Sequence, residues 1–190
     1  DGLKGEIKTT LPIEKIAVSE QGIVAAVLKN ESTPQIVCYD TAGNVLVEHK
    51  SSVMGIGYPV DIAISPNGEL LQILYLSVYD GKMMSRVGYY NFGAAGAEKI
   101  DHQVTEKEYK DSVMGAGFFV DETVSAAVGD NCLTIFKGKE EPKETAAVEI
   151  KGEIQSVFHS GKYIGILLKA NGNSRYELKL YNTSGKEILS

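Results

Sequence analysis

Pro59-Val60-Asp61-Ile62-Ala63-Ile64-Ser65-Pro66-Asn67-Gly68-Glu69-Leu70-Leu71-Gln72-Ile73-Leu74-Tyr75 consists of two apolar runs hinged on Ser-Pro-Asn-Gly. Proline presets φ, and Asn-Gly accepts positive φ, so the four hinge residues supply the chemistry of a two-strand reversal. Working outward from this hairpin, the region Gly57 to Gln103 reads as four strands: Val60–Ser65, Glu69–Val78, Arg86–Phe92 and Ala97–Gln103. A four-strand unit recurring every roughly 40–50 residues is the signature of a β-propeller blade. The spacing therefore predicts an all-β, propeller-like chain of about four four-stranded antiparallel blades.

The remaining units follow in order. The first, residues 11–50, holds Ile13–Ser19, Ile23–Lys29, Ile36–Asp40 and Val45–His49; the second spans 55–103. The third, 112–150, holds Gly115–Val120, Val124–Val128, Cys132–Lys137 and Glu144–Ile150. The fourth, 153–190, holds Glu153–Phe158, Tyr163–Lys169, Arg175–Tyr181 and Glu187–Ser190, with a loop at 170–174. Residues 104–111, Val-Thr-Glu-Lys-Glu-Tyr-Lys-Asp, interrupt the pattern and read as a polar insertion between blades. Glu6-Ile7-Lys8-Thr9 alternates as an outer edge strand would. Ile23-Val24-Ala25-Ala26-Val27-Leu28 is continuously apolar, as expected of a strand covered on both faces. No window longer than ten residues keeps a helical apolar face, whereas glycine-bearing turns recur every about 8–12 residues.

Two echoes tie the units together. Tyr39-Asp40-Thr41-Ala42-Gly43 matches Tyr181-Asn182-Thr183-Ser184-Gly185, an aromatic, an Asx residue and a glycine at equal offsets into a turn. Ser52-Val53-Met54-Gly55-Ile56-Gly57-Tyr58 matches Ser112-Val113-Met114-Gly115-Ala116-Gly117-Phe118, and both continue to a Val-Asp pair. If both copies enter the strand beside the propeller axis, Tyr58, Asp61, Phe118 and Asp121 share one channel mouth. These four residues are the candidate binding site.

Composition narrows the function classes. The chain has 190 residues, 43% hydrophobic and 23% charged, with a net charge of −6. That balance suits one folded domain and argues against nucleic acid or an anionic membrane as partner, since phosphate binding needs clustered Lys and Arg. No run of 18 or more apolar residues is present for a membrane span. The three histidines, His49, His102 and His159, lie about fifty residues apart, without the neighbouring ligands that zinc needs. No G-x-S-x-G elbow and no glycine-rich phosphate loop opening a helix occur. Asp40, Asp61, Asp80, Asp121 and Asp130 recur through the units; a Ca²⁺-binding ring is one reading and backbone capping in turns the other. Cys38 and Cys132 sit in apolar runs, as buried thiols or as a bridged pair. The residues thus assign no catalytic group, cofactor or metal.

The segments Pro59–Gly68, Val128-Gly129-Asp130-Asn131 with Leu133-Thr134-Ile135-Phe136, Tyr163-Ile164-Gly165 and Tyr181-Asn182-Thr183-Ser184-Gly185-Lys186 resemble a family of propeller-like domains of uncharacterised function in Gram-positive, largely gut-dwelling bacteria. The likeness runs from about Leu11 to the end. It implies a domain on the extracellular face of the cell membrane, behind an N-terminal anchor that lies outside this sequence. It carries over no functional residues. Four units are fewer than most closed propellers use, so the chain is expected to form part of a larger ring. The expected function is a non-catalytic surface module that binds protein or glycan through its face loops. A propeller-type hydrolase or quinoprotein-like enzyme and a structural spacer are the alternatives. Exposed blade faces would support a homodimer.

Overall fold

The structure, a computed structural model, describes residues 2, 5–169 and 175–189. It holds four antiparallel sheets of four strands, each ordered as a simple meander. Blade 1 is β1 (Ile13–Val18), β2 (Val24–Leu28), β3 (Gln35–Tyr39) and β4 (Val45–Lys50). Blade 2 is β5 (Tyr58–Ile64), β6 (Leu70–Tyr79), β7 (Lys82–Asn91) and β8 (Gln103–Lys110). Blade 3 is β9 (Met114–Phe119), β10 (Val124–Gly129), β11 (Cys132–Lys137) and β12 (Lys143–Glu149). Blade 4 is β13 (Glu153–Ser160), β14 (Tyr163–Lys169), β15 (Tyr176–Asn182) and β16 (Glu187–Leu189). The expected loop at 170–174 and the last residue of the expected final strand lie outside the described residues.

The blades stack through the faces of their middle strands. Ala25, Val27, Ile36 and Cys38 of blade 1 pack on Ile62, Ile64, Leu71, Ile73 and Tyr75 of blade 2. Leu74, Val87 and Tyr89 of blade 2 meet Met114, Ala127 and Phe136 of blade 3. Ala126, Val128, Leu133 and Ile135 of blade 3 meet Ile164, Ile166, Leu168 and Tyr181 of blade 4. A middle strand thus contributes alternate residues to two different interfaces, which is why β10 is buried along its whole length. Burying each such Leu, Ile or Val contributes about 1.5–3 kcal/mol. The outermost strands alternate with solvent, as β12 does in its Lys-Glu-Thr-Ala-Ala-Val-Glu run.

Turn chemistry recurs as the first echo requires. Asp40 Oδ1 accepts hydrogen bonds from the amides of Ala42 (2.9 Å) and Asn44 (2.8 Å). Asn182 Oδ1 accepts from Ser184 and Lys186 amides, both at 3.0 Å. Gly43 and Gly185 close these turns at φ 83° and 79°, a region costly for other residues. The contacts of Asp40, led by its bond to the Asn44 side chain, hold its carboxyl below the ordinary aspartate range.

Three expectations are corrected in blade 2. The polar stretch 104–111 is no insertion: it supplies nearly all of β8, paired with β7 from Met84↔Lys110 to Tyr90↔Gln103. Its Thr-Glu-Lys-Glu-Tyr-Lys polarity is that of an outer strand with one face in water, where a charged pattern conceals a strand from a hydrophobicity reading. The expected strand Ala97–Gln103 is instead irregular: it follows a short 3-10 turn at Ala94–Gly96 and contains another at Ile100–His102, and only its last residue, Gln103, belongs to a strand, β8. Residues 79–85, left between the expected strands Glu69–Val78 and Arg86–Phe92, form no long loop: the chain reverses tightly at Asp80-Gly81, and β6 and β7 run ten residues each.

The N-terminal arm also departs from expectation, since residues 6–9 form no strand. The arm instead lays Ile7 and Leu11 on the outer face of blade 1, against Ala26, Leu28, Val37 and Tyr39. Both cysteines are free: Cys38 is wholly buried in blade 1 and Cys132 partly buried in blade 3.

Candidate functional site

The inner strands β1, β5, β9 and β13 line the axis, and their register decides which side chains meet. Each inner strand of the first three blades ends in a turn capped by its own side chain. Ser19 Oγ accepts from the Ile23 amide (3.0 Å), Ser65 Oγ from Leu70 (2.9 Å), and Asp121 Oδ1 from Thr123 (2.7 Å) and Val124 (2.8 Å). Counting back from these equivalent caps places Lys15, Asp61 and Gly117 at one level of the channel. The structure joins them: Lys15 Nζ lies 3.7 Å from Asp61 Oδ1, and Asp61 Oδ2 accepts the Gly117 amide at 2.9 Å. Asp61 is thereby a bridge across three blades.

This register separates the four candidate residues. Tyr58 is the first residue of β5, whereas Phe118 is the fifth of β9. A difference of four residues at about 3.3 Å each puts them roughly 13 Å apart along the channel, near opposite ends. The two Met-Gly-x-Gly-aromatic stretches are alike in sequence and unlike in structure. Met54 is 98% exposed in a turn before β5, while Met114 is fully buried as the first residue of β9. Gly57 sits at φ 110° in that turn, and Gly117 lies within a strand. The likeness of seven residues could not reveal that one copy precedes its strand and the other spans it.

Each candidate has a definite partner. The Tyr58 hydroxyl donates to the Glu14 carboxylate at the entrance end, and burial together with Glu14 pushes its pKa up to about 12. Phe118 stacks flat on His159 of blade 4, ring centroids 4.5 Å apart and planes within 2°. Asp121 caps its own turn. Burial raises its pKa, but the hydrogen bonds from Thr123 and Val124 and the nearby Lys162 outweigh this, so the net direction is down. Asp61 and Phe118 share the channel wall, Asp121 lies beyond its exit, and Tyr58 faces the other end.

At the exit end a cleft of about 290 Å³ opens among all four blades. Its walls include Ala17 and Glu20 from blade 1, Ile62 and Ile64 from blade 2, Phe118 from blade 3 and His159 from blade 4. The Phe118–His159 stack, with the Glu20 carboxylate among the residues lining the cleft, suits a site that grips a flat or extended ligand. Of the expected residues, only Phe118 lines it. His159 was legible only as a turn residue, and its role depends on blade 4 meeting blade 3. Among the described residues no three His, Cys, Asp or Glu side chains gather to hold a metal ion, and the five recurrent aspartates stand apart, Asp130 accepting from Ser112 Oγ at 2.9 Å.

A second polar cluster lies under the channel wall. Gln72, fully buried, donates from Nε2 to Tyr89 Oη (2.7 Å) and to the Ala126 carbonyl (3.2 Å). Tyr89 Oη also pairs with Ser125 Oγ at 2.7 Å, and burial drives the Tyr89 pKa well up despite both hydrogen bonds. These contacts tie blade 2 to blade 3 immediately behind Gly117.

Comparison with known proteins agrees with the fold. The hydrazine synthase of Kuenenia stuttgartiensis superposes with a TM-score of 0.64 at 14% identity, over 99% of this chain and 51% of that one. The β-propeller domain of the trilobed protease from Pyrococcus furiosus, described as having an open velcro topology, gives 0.63 at 13%, over 93% and 56%. BamB from Moraxella catarrhalis gives 0.59 at 10%, over 94% and 49%. The chain spans about half the length of these structures, and the likeness is one of fold: β-propeller blades. No curated protein matches the sequence. The family model described as "Family of unknown function (DUF5711)" matches residues 1–190, and the chain belongs to that family.

Proposed function

We propose that this chain is a non-catalytic binding module, working on the extracellular face of the cell membrane, that recognises a protein or glycan at the exit end of its channel. One observation carries the reading: the 290 Å³ cleft is the place where all four blades meet, and it presents Phe118 and His159 as a stacked platform. Stacked rings grip sugar faces and extended peptides without requiring buried charge. The polar groups nearby serve the scaffold: Asp61 holds Gly117 and Lys15, and Asp121 holds its turn. An enzyme would instead direct two or more such groups at a common reacting atom.

The test is a binding screen of the domain against arrayed glycans and peptides, alongside Phe118→Ala. Selective binding that falls at least about tenfold in the variant supports the reading. Turnover of ester, peptide or quinone-linked substrates that disappears in His159→Ala would replace it with the enzyme alternative. Protease shaving of intact cells tests the location, and protection of the domain until lysis would refute the surface assignment.

A further inference from the structure

Among the residues that line the exit cleft, Glu20 is the only Asp, Glu, Lys or Arg. It sits in the turn between β1 and β2, exposed to solvent. Its amide donates to the Pro66 carbonyl at 3.0 Å, which pins this turn of blade 1 to the Ser-Pro-Asn-Gly turn of blade 2. The other carboxylates around the channel are engaged. Asp61 faces Lys15 and the Gly117 amide, Glu14 accepts the Tyr58 hydroxyl, and Asp121 caps its turn with Lys162 nearby. Among the described residues Glu20 enters no ion pair and no side-chain hydrogen bond. The cleft therefore offers one uncommitted carboxylate. On blade 3 it offers Phe118, half-buried and stacked on His159, with part of its ring open to the cleft.

We propose that the ligand of this cleft is a protein segment that inserts one arginine side chain, its guanidinium lying against Phe118 and paired with Glu20. This rests on the binding reading above and names the ligand class of the same site. Charge selects a cation: the one carboxylate in the lining is negative, and the chain as a whole carries −6, so its field draws cations toward it. Shape selects a flat one. Phe118 and His159 lie within 2° of parallel, and a planar delocalised cation continues such a stack as a tetrahedral ammonium does not.

Size selects a single side chain. A cleft of about 290 Å³ lies at the lower end of ligand pockets, which run from about 300 to 1,000 Å³, and it is too small for several sugar rings. Glu20 and Phe118 come from blades 1 and 3, so a side chain that fills the cleft touches both. A guanidinium can serve both at once: its edge donates two parallel hydrogen bonds to a carboxylate while its face rests on an aromatic ring.

The experiment titrates peptides Ser-Gly-X-Gly-Ser, carrying a neutral fluorescent label and with X as arginine, citrulline or lysine, against the chain and against its Glu20→Gln and Phe118→Ala variants. Citrulline keeps the shape of arginine and removes its charge. Glu20 is exposed in a turn and glutamine has the same shape, so Glu20→Gln should fold, and circular dichroism checks that it does. The arginine peptide should bind at least about tenfold more tightly than its citrulline twin, and Phe118→Ala should weaken it at least about tenfold. The gap between the two peptides should close in Glu20→Gln and narrow as salt rises from about 50 to 500 mM. Equal binding of the arginine and citrulline peptides, or an arginine preference that survives in Glu20→Gln, would overturn the proposal. So would a lysine peptide that binds as tightly as the arginine one. Neutral glycans held through Phe118, with no arginine peptide bound up to about 1 mM, would overturn it and leave the binding reading standing. Absence of any ligand from both the glycan and the peptide sets would remove both.

Discussion

The Asp61 carboxylate accepts the Gly117 backbone amide at 2.9 Å across the boundary between blades 2 and 3. The position opposite must be glycine for a reason that lies behind the channel wall: a Cβ at residue 117 would fall 2.3 Å from Gln72 Oε1. Carboxylate, amide and buried glutamine thus fix how closely two blades approach.

Removing the acceptor should therefore cost more than removing the charge. Asp61→Ala leaves the Gly117 amide without its partner and should destabilise by about 1–3 kcal/mol. Asp61→Asn keeps an acceptor and should cost less. Lys15→Ala removes a half-exposed ion pair contributing about 0–1 kcal/mol. Urea unfolding of the three variants should rank them in that order, and equal losses for Asp61→Asn and Asp61→Ala would refute the acceptor role.

Gly117→Ala forces a methyl group against Gln72 and should cost about 1–3 kcal/mol by overpacking. A companion Gln72→Ala would remove the clash and leave Tyr89 Oη with Ser125 Oγ as its remaining partner, so the double variant should be less destabilised than the two single losses combined. Strict additivity in thermal unfolding would show that the two side chains do not meet.

Tyr89→Phe tests the buried polar cluster directly. It strips a hydroxyl shared by Gln72 (2.7 Å) and Ser125 (2.7 Å) and should cost about 1–3 kcal/mol. Hydrogen exchange should report the loss at both β6 and β10. Faster exchange confined to blade 2 would contradict an inter-blade role.

His49 on β4 packs against Tyr90 of blade 2 with ring centroids 5.2 Å apart. Burial lowers its pKa below the ordinary 6.5, against a smaller upward pull from Asp101. The unfolded chain therefore binds the proton more readily. This contribution to stability is present above pH about 6.5 and is lost as pH falls toward the folded-state pKa. Urea midpoints between pH 7.5 and 5.5 should decline, and His49→Phe should flatten the decline. An unchanged slope in the variant would assign it to other groups.

Cys38 is wholly buried, and burial pushes its thiol up to about 12. It should resist alkylation in the native state at pH 8 and react on unfolding. Rapid native labelling would mean that blade 1 opens readily.

The repeat of short apolar runs and glycine-bearing turns determined the blade architecture on its own, because a two-residue side-chain period and positive-φ residues are local properties. Asp40 and Asn182 show this well, since each caps its turn through contacts within four residues. Polarity hid β8, whose Glu-Lys-Glu run is intelligible as a strand only once β7 lies beside it. The site depended still more on tertiary structure. Tyr58 and Phe118 occupy matching places in two similar stretches, yet they stand near opposite ends of the channel because the two stretches enter their strands at different points. Strand register is set by pairing and by packing against other blades. The meeting of Phe118 with His159, and of Asp61 with Gly117, was therefore decided by contacts across the stack.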